Sequence, residues 1–378
     1  MNRPENSPSE MPKEADQPDE FKTARLSTPE AMRPPEKKER VETRRFTIAS
    51  GSLASRFHPE RNEDAVVGDK TRLMAENGFP PELKTSDPDA DKEAVRRAAG
   101  QEAEAADRLA AANCGVVLDG LSGSEHPTGS GYVASRLAAG EIAARLAELA
   151  DLPPGTPAQD SARLMGLALA AANDCVAEYT AARPDLKDLA GTTVAAARAT
   201  TGPDGRTEVA YAYAGNTRLY HWRTATRKLI EVSIDDTLAG DALRATEDPE
   251  ATPPMTSPTT SAFISREEYN LVNSTVPTAR LPRELQELRE KNDSFSSASK
   301  VLGLGAGSFR PHIGVLKAEV GDKVVILTDG AYGNLNYKDI AYALSRADAA
   351  RELVRLAAGS GGPHDDATAL VIDLKATA

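Results

Sequence analysis

Residues 323–330 read KVVILTDG and residues 114–120 read CGVVLDG. Each is a short run of strand-forming residues, apolar at consecutive positions, ended at once by Asp-Gly. A run of this kind reads as a buried strand. A carboxylate at its end beside a glycine stands at the sheet edge, where another group can approach the backbone closely. Asp119 and Asp329 are placed in this way. Two further carboxylates stand at strand starts: Asp64 precedes AVV in RNEDAVV (61–67), and Asp365 shortly precedes the apolar run in HDDATALVIDL (364–374). If the second pair of strands runs antiparallel to the first, ends meet starts and four carboxylates converge at one edge.

Bare carboxylates a few ångströms apart repel and raise one another's pKa, and a divalent cation resolves the conflict. No cysteine lies near these residues and the chain has 5 histidines. The ligand set is therefore all oxygen, which favours Mg²⁺ or Mn²⁺ over Zn²⁺. Two such ions bridged by a carboxylate can acidify a water and hold a phosphoryl oxygen for in-line attack. Taken singly, each Asp-Gly reads as a turn or a helix cap; it is the four together that point to a metal.

Working outward, GTTVAAARA, VAYAYAG and RLYHW supply further strand candidates. Amphipathic helices are expected from about Tyr132 to Ala150, Gln159 to Ala182 and Lys338 to Ala358. For the second, the apolar face is read as Leu164, Leu167, Ala171, Cys175 and Tyr179. Strands alternating with such helices suggest helices layered on sheets. Residues 1–45 carry seven prolines among dense mixed charge and read as a disordered polar tail; 46–378 would then be one domain. That domain is interrupted at about 70–113, expected to hold one exposed helix from about Asp91 to Ala112, and at about 241–299, where PEATPPMTSPTTS reads as a mobile loop.

Composition narrows the partners. The 378 residues include 57 acidic and 45 basic ones, a net charge of −12, which argues against a nucleic-acid backbone as partner. Two cysteines rule out a disulfide scaffold and suit a reducing compartment. No apolar run is long enough for a membrane span, and the N-terminus has no apolar signal region. A cytoplasmic, monomeric protein without membrane partners is expected.

The pieces RNEDAVV, GVVLDG, LAGTTVAAA, AYAGNTRLY, GDKVVILTDG and GGPHDDATALVI, spanning about Arg61 to Leu374, resemble in content and order the metal-dependent Ser/Thr protein phosphatases, the PPM or type 2C family. The resemblance implies an α+β fold, a four-layer α-β-β-α sandwich of two antiparallel sheets flanked by helices, with two Mg²⁺ or Mn²⁺ ions at one end. It implies that Asp119 bridges the ions and that the Gly120 carbonyl ligates one of them. Asp329 and Asp365 complete the set, while Glu63 and Asp64 ligate or orient waters. Asp365 is preferred to Asp366 because it stands three residues before Thr368, the family spacing. Metal-bound hydroxide would attack phosphoserine or phosphothreonine of a phosphoprotein substrate directly.

The chain departs from the family at three places. Asn216 in GNTR replaces the Asp that helps hold a third metal, so a third ion would bind poorly. The loop after Gly120 is long and carries His126, read as an exposed loop histidine. The phosphate-binding Arg has no clean counterpart; Arg56 and Arg61 flank its expected place and either could serve. A pseudophosphatase scaffold with little turnover is the second reading. GLGAGS (303–308) lacks the third glycine of a dinucleotide loop, Trp222 reads as packing, and Cys114 as an unreactive buried thiol.

Overall fold

The computed structural model describes residues 46–54, 62–68, 85–121, 130–183, 185–186, 190–202, 204–237, 239–240, 243–244, 280, 282–283, 285–286, 301–303, 309–359, 362 and 365–375. The tail 1–45, most of the segment 241–299, His126, Arg56 and Arg61 lie outside them.

The strands are β1 (Thr47–Leu53), β2 (Ala65–Val67), β3 (Cys114–Leu121), β4 (Gly191–Thr201), β5 (Thr207–Ala214), β6 (Arg218–Arg223), β7 (Lys228–Glu231), β8 (His312–Ala318), β9 (Lys323–Leu327) and β10 (Ala367–Asp373). They form two five-stranded antiparallel sheets, β1-β10-β9-β6-β7 and β2-β3-β4-β5-β8. Helices α1 (Pro88–Ala111), α2 (Ser130–Leu146) and α3 (Ala158–Ala181) go with the second sheet; α4 (Asp329–Tyr332), α5 (Tyr337–Leu344) and α6 (Ala349–Ala358) go with the first.

The consecutive apolar runs follow from this layering. Along β3, Val116 and Leu118 pack into the helical layer while Val117 faces the other sheet. Along β9, Val325 and Leu327 face helices while Val324 and Ile326 join Leu219, Leu370 and Ile372 between the sheets. The two-residue period is present, but both faces are dry, so both are apolar. Fully burying each such side chain contributes roughly 1.5–3 kcal/mol. The expected four-layer α-β-β-α sandwich is what the structure shows.

Four readings need correction. The last expected helix is two, α5 and α6, broken over Ser345–Asp348; Asn336 and Asp339 form a capping box at the start of α5, and Asp348 precedes α6 without a side-chain capping bond. On α3 the buried stripe is Ala162, Met165, Leu169, Ala172 and Val176, one position round from the expected face, and Leu167 is exposed. The helix in the first interruption, α1, is docked rather than exposed. Its Ala94, Val95, Ala98, Ala105 and Leu109 are buried in the layer with α2, which is consequently buried nearly all round. Finally, β1, β7 and β8 carry no strong apolar run and went unread; each lies beside a single partner strand, where half-exposed residues suffice. Trp222 is buried in the core beneath α5 and α6, and burial pushes the Cys114 thiol up to about 12, keeping it a neutral thiol. Among the described residues no helix is long and apolar enough to cross a membrane.

Candidate functional site

Register carries the carboxylates to one end of the sandwich. Ala65 pairs with Leu118, which sets Asp64 opposite Asp119, and Asp119 itself pairs with Thr193. In the other sheet Leu327 pairs with Ala369, so the chain leaves β9 through Asp329 where it enters β10 through Asp365 and Asp366. Asp64 and Asp119 are buried, whereas Asp365 is exposed.

Thr328 ties the two sheets together, a role the sequence reading missed. Its backbone N–H donates to the Thr368 carbonyl at 3.1 Å, and its hydroxyl accepts from Thr368 N–H at 2.9 Å. The same hydroxyl lies 3.2 Å from Asp64 Oδ2 and 3.3 Å from the Asp366 carbonyl. Asp366 is likewise structural: its carboxylate turns inward and accepts from Glu63 N–H at 2.6 Å, while Asp365 Oδ1 accepts from Asp366 N–H at 2.8 Å. Asn216, in the turn between β5 and β6, donates from Nδ2 to Asp329 Oδ2 at 3.0 Å. Next to it, Arg218 grips Asp235 through Nε at 3.0 Å and Nη2 at 2.7 Å, and its guanidinium stacks 3.8 Å over Tyr332 of the helix that Asp329 opens. The GNTR turn therefore holds Asp329 through both its side chain and its helix.

Three glycines make this closeness possible. A Cβ on Gly120 would meet the Gly131 carbonyl at 2.5 Å and the Glu63 carbonyl at 2.6 Å, and one on Gly131 would meet Glu63 Oε2 at 2.6 Å. Glu63 is thus set against the first turn of α2, where a negative charge is favoured. A Cβ on Gly330 would lie 2.2 Å from the Asp366 carbonyl. Glycine follows Asp119 and Asp329 because backbone passes there, as its place at the sheet edge leads one to expect.

The electrostatics are those of uncompensated charge. Burial, then Asp366, Asp365 and Asp329, push Asp64 well above the usual carboxylate range; the hydroxyl of Thr368 pulls the other way. Burial, then Asp329, Asp64 and Asp365, do the same to Asp119. Asp329 is pushed up to about 6 by burial and Asp365, against the hydrogen bonds from Asp119, Asn216 and Gly330 N–H. None of Asp64, Asp119, Asp329 or Asp365 forms an ion pair with a described Lys, Arg or His. Asp64 Oδ1, Asp119 Oδ2 and Asn216 Oδ1 are buried without a hydrogen-bond partner among the described residues. Orphaned acceptor oxygens among repelling carboxylates are what a hard divalent cation would satisfy. Among the described residues no three His, Cys, Asp or Glu side chains are already gathered into a metal-binding group; the carboxylates share an electrostatic neighbourhood rather than a finished coordination shell.

A pH dependence follows. The folded chain holds the Asp329 proton more tightly than the unfolded chain, whose ordinary value is 3.8. The stability this contributes is complete below about pH 4 and is lost as pH rises through about 6. In chelator, Asp329→Asn is therefore expected to raise the melting temperature more at about pH 7 than at about pH 5. Thermal melts of both proteins check this, and an equal shift at the two pH values would contradict it.

Of the residues singled out in the sequence, Glu63, Asp64, Asp119, Gly120, Asp329 and Asp365 are brought to this one end of the molecule, and Thr192 and Thr193 are buried strand residues beside them. Thr192 donates its hydroxyl to the Asp119 carbonyl at 2.9 Å.

No family model matches the chain and no curated protein matches it. Solved structures do. The PPM Ser-Thr phosphatase MsPP from Mycobacterium smegmatis, in complex with cacodylate, is 20% identical with a TM-score of 0.52, covering 87% of this chain and 98% of its own. The catalytic domain of the serine threonine protein phosphatase PstP, in complex with 2 manganese ions, gives the same values. The S. agalactiae serine/threonine phosphatase is 17% identical with a TM-score of 0.53, covering 87% of this chain and 100% of its own. The architecture is that of the PPM Ser/Thr phosphatases.

Proposed function

We propose that this chain is a metal-dependent phosphatase of the PPM type, hydrolysing phosphoserine and phosphothreonine in proteins. The observation that carries the proposal is the convergence of Asp64, Asp119, Asp329 and Asp365, buried in part, unpaired by any described cation and with an orphaned oxygen on each of Asp64 and Asp119, at one end of this particular fold. Two Mg²⁺ or Mn²⁺ ions bound there would neutralise the carboxylates, acidify water and stabilise charge on the transferring phosphoryl group. Asp119, the Gly120 carbonyl, Asp329 and Asp365 would hold them, with Glu63 and Asp64 orienting water.

The chain's own contribution is preorganisation. Thr328 and Asn216 fix the rotamers of Asp64 and Asp329, the Arg218–Asp235 pair braces the helix that begins at Asp329, and Asp366 locks the backbone of Glu63. Asn216 brings a neutral amide to the site, which supports two ions rather than three. Arg56 or Arg61 would grip the substrate phosphate with a guanidinium fork. The two free cysteines support a reducing, cytoplasmic setting.

The test is hydrolysis of p-nitrophenyl phosphate and of a phosphothreonine peptide, with Mn²⁺ and with chelator. Turnover of both that disappears in chelator is expected. Peptide binding without turnover under every metal condition would replace the enzyme with a binding module.

A further inference from the structure

At the opposite end of the sandwich lies a cavity of about 650 Å³ that the catalytic reading does not use. It is walled by the end of β6, the start of β5, the end of β8 and the turn that leads into β9. β9 alone, five residues long, separates that end from Asp329 by roughly 17 Å. The volume falls in the range of small-molecule sites.

The lining inverts the charge of the protein. In a chain with net charge −12, three cations, Arg206, Arg223 and Lys317, gather at this one opening. Neither Arg223 nor Lys317 has an ion-pair partner among the described residues, and both are exposed to the cavity mouth. Arg206 lies 3.5 Å from Asp204, both of them well exposed, where a pair is weak. Of the two lining carboxylates, Glu319 is on the exposed rim. Asp322 is buried and already saturated: His221 Nε2 lies 2.8 Å from its Oδ2, the N–H of Glu319 donates to the same oxygen at 3.1 Å, and the N–H of Thr224 donates to Oδ1 at 3.0 Å. These bonds also pin the turn, and the Thr224 hydroxyl adds a bond to the Gly321 carbonyl at 2.6 Å. The wall is thus rigid before any ligand arrives, and the hydroxyl-bearing Thr226 and the half-exposed Val320 complete it.

We infer that this cavity is a second, non-catalytic anion site, which takes a phosphoryl group through Arg223 and Lys317. Cations converging on a wall pinned by hydrogen bonds raise the local concentration of anions, and guanidinium and ammonium donors suit phosphate oxygens. The phosphoryl group could be inorganic phosphate or belong to a small phosphate ester, whose body would lie against Val320 and Ala225.

Calorimetric titration of the full chain in chelator, with inorganic phosphate and separately with adenosine monophosphate, tests this apart from the metal end. One saturable site with Kd below about 1 mM is expected for at least one anion. Tighter binding of adenosine monophosphate identifies the ester as the ligand, and tighter or equal binding of phosphate identifies the free anion. Binding should survive in Asp119→Asn and weaken at least about tenfold in the Arg223→Glu, Lys317→Glu double variant. Should that variant fail to fold, Arg223→Ala and Lys317→Ala are each expected to weaken binding at least about threefold. No saturable binding of either anion, or affinity unchanged in the folded variants, would overturn the inference.

Discussion

Asp119→Asn is expected to reduce Mn²⁺-dependent turnover at least about a hundredfold, the scale on which loss of one key electrostatic group registers, and at the same time to stabilise the metal-free protein. Both effects have the same cause. The Asp119 carboxylate is buried beside Asp64 and Asp329, its Oδ2 has no hydrogen-bond partner among the described residues, and burial and these neighbours resist its ionisation. The amide keeps the shape but removes the charge, and with it both the repulsion and the pull on a cation. Turnover of p-nitrophenyl phosphate and thermal melting in chelator are the two measurements. Turnover within about threefold of the parent would remove Asp119 from the proposed centre. A melting temperature lowered in chelator would show instead that the carboxylate is a structural acceptor.

The largest expected effect on stability lies far from the carboxylates, at Asp91→Ala. Asp91 is fully buried in the first turn of α1 and accepts from Arg183 Nη1 at 2.9 Å and Nη2 at 3.2 Å, from the Tyr179 hydroxyl at 2.5 Å, and from the Thr85 hydroxyl. This one carboxylate fastens α1 to the end of α3. Its removal leaves Arg183 in a largely buried position without its main partner, a situation that typically costs about 3–5 kcal/mol. Burial and the Asp91 contacts already push the Tyr179 hydroxyl up, so it remains a neutral donor. Urea unfolding of the variant should show the loss, and a change below about 1 kcal/mol would mean that the apolar face of α1 alone secures it.

How much of this was legible beforehand depended on the range of the signal. KVVILTDG and CGVVLDG could be read because a strand dry on both faces has no room for a polar residue until it ends, so Asp119 and Asp329 announce the edge. β1, β7 and β8 could not, since a strand with one neighbour and half-exposed residues has a composition close to that of a loop. The stretch from Lys338 to Ala358 reads as one helix because helical periodicity survives a short interruption; the break between Leu344 and Ala349 shows only in the folded backbone. The face of α3 was misplaced by one position because alanine fills so many of its places that the apolar stripe has no sharp edge.

At the site the same division holds. The carboxylates, their glycines and the choice of an oxygen-loving metal follow from residue types and local order, because a charge placed against a buried strand needs a reason. What joins them was decided by tertiary structure alone. Thr328 and Asp64 are 264 positions apart, Asn216 and Asp329 113, and Asp366 and Glu63 303. Likewise Arg223 and Lys317 become neighbours only when the ends of the two sheets come together. A single chain's local pattern records which residues must avoid water, and hence the strands and the Asp that ends each of them. Which distant hydrogen-bond donor meets which acceptor is set by strand register and sheet packing, and those exist only in the folded molecule.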